Sequence, residues 1–281
     1  MRHAWLIIAH NEFEILQLLV SSLDDTRNDL YVHIDKKVKT VPDLRVHNSR
    51  LFLLKDRLDV RWGAPSQIAC ELLLMRTAVE KGKYDRFHLI SGTHLPLKNN
   101  DYIFSFFERF DGCELMHLWE QDERDVGNKL QRYNFFVNGF SSPTAWIRKF
   151  SQFCWSVTQK IQKCLKVMRF PGFTFFKSDN WVSLTEQATE YLVAHAGEIE
   201  RKYRYSYCGD EYFVATELIN AGGFKIVDTE KLLKVDFDRY NPRVFTMDDY
   251  NSLAASDCLF ARKFSSRHLD VALHIVRHIE Q

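Results

Sequence analysis

The sequence predicts an α/β fold with a mainly parallel central sheet flanked by helices. Three observations carry this expectation: short apolar runs that stop at polar residues, helical periodicity between them, and a composition able to fill a core. Residues 4–9 (AWLIIA) form a continuous apolar run halted by His10, Asn11 and Glu12, the pattern of a strand buried on both faces. Residues 14–23 place Ile15, Leu18 and Leu19 at helical spacing, and residues 24–29 (DDTRND) make a polar turn. A second strand, 30–34, ends at Asp35, and 50–54 suggests a third. Residues 66–80 set Ile68, Leu72, Met75 and Val79 on one helical face, with Ser66 as a candidate cap. A fourth strand, 84–90, stops at Ser91-Gly92-Thr93. Alternating strands and helices imply parallel pairing through crossover helices, and polar strand ends gather at the carboxyl edge of such a sheet.

Beyond this half the pattern changes. Residues 99–110 predict an aromatic-rich helix, and 115–138 are charged and irregular. Residues 146–168 mix Trp146, Ile147, Phe150, Phe153, Val157, Ile161 and Leu165 with Arg148, Lys149, Lys160, Lys163, Lys166 and, just beyond, Arg169, a basic amphipathic helix. Two readings stand: a helix covering the sheet with its charged face in water, which the base rate favours, or peripheral contact with an anionic membrane through 146–169. With no repeat, low-complexity tract or clear linker, the chain is expected to be one domain over 1–281, its donor half about 1–110 and its acceptor and catalytic half about 111–281.

A net charge of +1 in 281 residues argues against nucleic acid as a partner. Hydrophobic residues at 46% and charged residues at 27% are an ordinary globular balance. The six cysteines show neither a C-x-x-C pair nor zinc spacing, as expected of thiols in a reducing compartment. No apolar run approaches the ~20 residues of a membrane span. The expected location is the cytoplasm, with at most peripheral attachment to the inner face of the membrane.

The motifs in order are WLIIAHN (5–11), YVHIDK (31–36), RWG (61–63), LISGTHLPL (89–97), SDNWVSL (178–184), GDEYF (209–213) and SDCLFARKF (256–264). Together they resemble the core-2/I-branching family of glycosyltransferases, which includes β-1,6-N-acetylglucosaminyltransferases and peptide O-xylosyltransferases. The resemblance runs from about residue 4 to 264. Relative to animal members, the chain is expected to be a compact, bacterial-type relative without their membrane anchor, stem and extracellular cysteine framework.

The resemblance implies a GT-A fold, a UDP-sugar donor, inversion at the anomeric carbon and no divalent metal or other cofactor. The strand end at 91–94 (SGTH) carries no carboxylate where metal-using GT-A enzymes have D-x-D. Asp236-Phe237-Asp238 fits that pattern but falls late in the chain and is taken as incidental. Many relatives have Asp where His94 stands, which leaves its role open.

Inverting transfer needs a base for the acceptor hydroxyl and positive charge for the departing diphosphate. Glu211 matches the family's base; without the resemblance, Asp210 or Glu211 as a helix cap is the simpler reading, and Asp210 is expected to keep that role. Lys263 matches the diphosphate lysine, and Arg243 falls near the diphosphate arginine, though an ordinary surface arginine is an equal alternative. Arg239 and Arg262 are the other candidates. Asp35 is expected at the uridine, or as a turn cap. His10, Asn11 and Glu12 are expected to line the same pocket. Arg61 and Trp62 resemble a donor-side segment, with Trp62 equally readable as a buried anchor. Glu120, Arg132 and Trp181 lie in segments resembling those that face the acceptor, with Trp181 also readable as core.

The resulting expectation is an inverting, metal-independent transferase moving a sugar, N-acetylglucosamine first and xylose or another hexose next, onto a glycan or lipid-linked saccharide in surface polysaccharide synthesis. A glycoside hydrolase needs two carboxylates flanking one bond, which adjacent Asp210 and Glu211 do not provide. A non-catalytic sugar-binding or scaffold protein that kept the fold is the other alternative.

Overall fold

The structure, a computed structural model, describes residues 1–238 and 241–280. The chain begins with β1 (His3–Ala9), α1 (Phe13–Ser22), β2 (Asn28–Ile34), β3 (Arg50–Leu53), α2 (Ser66–Lys81), β4 (Arg86–Ser91), β5 (Leu95–Pro96) and α3 (Asn100–Glu108). It continues through β6 (Cys113–Met116), α4 (Glu123–Lys129), α5 (Ala145–Cys164), β7 (Ser183–Leu184), α6 (Glu186–Ala194), α7 (Ala196–Tyr203) and α8 (Phe213–Ala221). The last part holds β8 (Lys225–Asp228), β9 (Leu233–Val235), β10 (Phe237–Asp238), β11 (Asn241–Pro242), α9 (Tyr250–Ala254), β12 (Phe260–Arg262) and α10 (Leu269–Ile279).

Seven strands make the main sheet in the order β3-β2-β1-β4-β7-β6-β8. It is parallel except at β7, which runs antiparallel to both β4 and β6. The expected α/β class and mainly parallel sheet are therefore present. Alternation along β1 divides the core: Ala4, Leu6 and Ile8 pack with α2, α6 and α8, whereas Trp5, Ile7 and Ala9 pack with α1, α3 and α10. Every β1 side chain is buried on one face or the other, and after His3 the strand is apolar from Ala4 to Ala9.

Register sets the site. Ala9 pairs with Ile34, and Ile8 with Ser91, so β1, β2 and β4 end at one edge. A smaller sheet, β5-β12-β9, lies beyond that edge and fixes Arg262 opposite Val235.

Four expectations need correction. Residues 115–138 are not wholly irregular: β6 and α4 lie within or across that segment, β6 too short to show a period of its own. Ser66 does not cap α2; it is the first helical residue, and its hydroxyl accepts a hydrogen bond from the Arg61 amide at 2.9 Å. Asp210 does not cap α8, because Gly209–Glu211 forms a separate 3-10 turn and Asp210 Oδ1 is buried without a partner. Finally, α5 does not cover the sheet with an apolar face. Its inward residues are Ser151, Gln159 and Gln162, while Trp146, Phe150, Phe153 and Ile161 face solvent.

Candidate functional site

Two cavities meet at the carboxyl edge of the sheet. The first, about 480 Å³, is lined by His10, Asp35, Lys37, Arg61 and Ser91, with Ser141, Ser142 and Pro143 at its rim. The second, about 370 Å³, is lined by Trp119, Lys177, Asp179, Asn180, Asp210 and Glu211. Trp62, Gln67, Trp181 and Arg262 line both, so the two form one bipartite cleft.

In the first cavity, strand ends hold the polar groups. Asp35, 2% exposed, accepts from the Lys37 amide at 2.8 Å and the Val60 amide at 3.1 Å, and pairs with Lys37 Nζ at 2.7 Å. It thus stabilises its own turn and also faces the cavity. Burial lowers His10 below its usual value, opposed by the charge of Asp35, so its imidazole is neutral near pH 7. Arg61 pairs with Asp59 at 2.8 Å and donates to the Asn138 carbonyl at 2.8 Å, joining the α2 loop to the segment before α5. Trp62 is no buried anchor: it is 64% exposed, and its ring meets Tyr207 edge-on.

Trp181 stands at the junction, with Arg262 over one face at 5.2 Å and His94 against it edge-on. His94 is fully buried, with Nδ1 at 2.8 Å from Ser91 Oγ and 3.1 Å from the Ser91 amide. It braces the β4 end and packs against Trp181. Arg262 makes no ion pair among the described residues, and its Nε is buried without a partner. Burial pushes its guanidinium down to about 10. A cation held without a counter-ion suits an anion that arrives with a ligand.

In the second cavity, Glu211 is anchored by Lys129 at 3.0 Å and Lys177 at 3.7 Å. Burial opposes the Lys129 charge, but the Glu211 and Asp125 carboxylates raise its pKa overall. Beside Glu211, burial and the Glu211 charge push Asp210 up to about 7. Behind it, burial raises Glu71, which is fully enclosed. Glu211 is therefore the solvent-facing carboxylate in front of two acids whose pKa values are raised. Asp179, also raised by burial, accepts from Trp119 Nε1 at 2.8 Å.

Of the residues expected from sequence, His10, Asp35, Arg61, Trp62, Trp181, Glu211 and Arg262 line the cleft. Lys263 follows Arg262 outside the linings, close enough for its charge to lower His10. Asn11 is exposed outside both cavities. Glu12 instead holds the chain end of the site, accepting from Ser265 Oγ at 2.9 Å and the Ser266 amide at 2.7 Å. Arg243 is clamped by Asp236 at 2.9 Å and Asp249 at 2.7 Å, which also uses the Asp236 carboxylate of the D-x-D-like triplet. Glu120 is exposed, and Arg132 donates to Asn128 at 2.6 Å; neither enters the cleft. Arg239 lies outside the described residues.

Sequence reading missed Lys129, Lys177, Trp119, Asp179 and Gln67. Lys177 and Asp179 adjoin or fall within the SDNWVSL motif and were legible there. Lys129 had no local signal, since it reaches Glu211 only through the tertiary fold.

No curated protein matches the chain in a sequence comparison. The family model for the Core-2/I-Branching enzyme matches residues 3–252, which includes Glu211 and Trp181 and stops short of Arg262. The chain accordingly belongs to the core-2/I-branching family of glycosyltransferases.

Proposed function

We propose that the protein is an inverting transferase that moves a sugar from a UDP-sugar to a glycan hydroxyl without a divalent metal. The observation carrying this reading is one cleft with a fixed carboxylate, Glu211, in one lobe and Arg262, a guanidinium with no ion pair among the described residues, at the junction with the other. The nucleotide occupies the His10–Asp35 lobe, with Asp35 toward the base and the diphosphate at Arg262, assisted by Lys263. The acceptor lies against Trp119 and Trp181, whose faces suit a sugar ring.

An acceptor hydroxyl oxygen attacks the anomeric carbon from the face opposite the diphosphate. A new carbon–oxygen bond forms as the bond to the β-phosphate oxygen breaks, and its electron pair leaves with UDP. Glu211 takes the hydroxyl proton, a role that contributes ~10²–10⁴-fold. Arg262 neutralises charge developing on the leaving oxygen. Lys129 and Lys177 hold the base in place, and the raised Asp210 carboxyl carries less negative charge beside it than an ordinary aspartate would.

N-acetylglucosamine is the first donor to test, with xylose as the alternative, and surface polysaccharide synthesis is the expected source of acceptors. The test is UDP release from UDP-N-acetylglucosamine and UDP-xylose against GDP-, CMP- and dTDP-sugars, with and without EDTA. UDP-specific turnover that survives chelation is expected. A requirement for metal overturns the cationic leaving-group mechanism, and nucleotide binding without turnover favours a sugar-binding protein.

A further inference from the structure

The helix α5 is built inside out. On a 20-residue helix with about 100° per residue, Trp146, Phe150, Phe153, Val157 and Ile161 fall within roughly 80° of arc. All five are exposed, Trp146 at 69% and Phe153 at 66%, and Leu165 continues the stripe at 70%. The opposite face attaches the helix by polar contacts. Gln162 accepts from the Tyr133 amide at 2.8 Å and donates to its carbonyl at 2.9 Å. Gln159 and Trp155 both donate to Asn134 Oδ1, at 3.0 and 2.7 Å. Those hydrogen bonds fix which face looks outward, so the apolar stripe is a property of the folded protein. A contiguous apolar face of this size on a surface helix marks an interaction site.

Charge identifies the partner. Lys149, Lys160 and Lys163 run along one flank of the stripe, and no Asp or Glu occurs between Asp125 and Asp179. A two-fold contact between copies would set those lysines against one another, since an isologous interface presents the same patch from each side. An anionic bilayer accommodates both features: Trp and Phe settle at the headgroup boundary while lysines meet lipid phosphates. We infer that α5 docks the protein on an anionic phospholipid surface, lying in the plane of the interface. Residues 141–143, immediately before α5, form the rim of the first cavity. Docking thus sets the cleft beside the bilayer and suits a lipid-linked acceptor, a step that rests on the transfer reaction proposed above; the membrane binding itself does not.

The test is co-sedimentation of the full chain with vesicles of phosphatidylcholine alone or with about 40% phosphatidylglycerol. Binding to the anionic vesicles is expected, with about tenfold weakening as sodium chloride rises from about 0.1 to about 0.5 M. The F150S/F153S variant should lose binding by at least ~30-fold while keeping UDP affinity and circular dichroism, because both side chains point outward. The K160E/K163E variant should lose the preference for anionic lipid, and it tests the charge independently of the aromatic pair. Failure of the wild type to bind anionic vesicles overturns the inference, as does equal binding of the charge variant. Light scattering that shows a dimer abolished by F150S/F153S also overturns it, assigning the face to a second copy.

Discussion

Replacing Arg262 with methionine separates stability from activity in opposite directions. Burial lowers the guanidinium from 12.5 to about 10, which corresponds to a penalty of about 3 kcal/mol for holding the charge there. Its stacking on Trp181 at 5.2 Å returns about 1 kcal/mol. Methionine fills similar volume without charge and leaves no orphaned Nε. The variant is therefore expected to be more stable by about 1–2 kcal/mol, raising Tm by roughly 2–6 °C for a domain of this size. Turnover is expected to fall by ~10²–10³-fold, the usual loss when one preorganised charge is removed from a developing anion. The assays are thermal unfolding with and without UDP, and UDP release from the donor sugar. UDP should raise the Tm of the wild type more than that of the variant, reversing their order at saturating nucleotide. A variant that is less stable yet fully active would refute the reasoning and make Arg262 a structural residue.

Asp210→Asn removes a carboxyl whose folded pKa of about 7 lies above its unfolded 3.8. The folded form retains a proton that the unfolded chain releases, so this group's stabilising effect is complete below pH 4 and lost as pH rises toward 7. Denaturant unfolding should show the variant gaining on the wild type across that window by up to about 4 kcal/mol; a flat difference rejects the buried-acid assignment. Buried His3, lowered to about 3 mainly by burial, and His88 and His94, lowered likewise, act with the opposite sign. Their neutral forms favour folding above pH 6.5, and that stability is lost as pH falls, which is why the variant must be compared with the wild type at each pH. Lys129→Met should reduce kcat about tenfold with donor KM little changed, because it frees Glu211 without touching the first cavity; equal loss in both constants would place Lys129 at the donor.

The sheet was legible because β1, β2 and β4 are buried on both faces, and a polar residue follows or closes each: His10 after β1, Asp35 after β2 and Ser91 at the end of β4. The first cavity followed from the same logic, since parallel register gathers His10, Asp35 and Ser91 at one edge. Glu211 and Trp181 were readable through family motifs, not through periodicity. Arg243 and Arg262 show the limit of that approach. Both are arginines in plausible segments, and only the fold reveals that Asp236 and Asp249 occupy one while the other has no carboxylate partner among the described residues. The orientation of α5 was hidden for a similar reason. Its pattern specifies an apolar face and a polar face, but not that Asn134 and the Tyr133 backbone would claim the polar one.

The central claim is tested most directly by comparing Glu211→Gln with the wild type in donor turnover and UDP binding on the same preparation. The account predicts that kcat falls by ~10²–10⁴-fold while UDP affinity stays within a few-fold, because the amide keeps the shape of the acceptor lobe but takes no proton. Retained turnover, or turnover lost together with UDP binding, would contradict it.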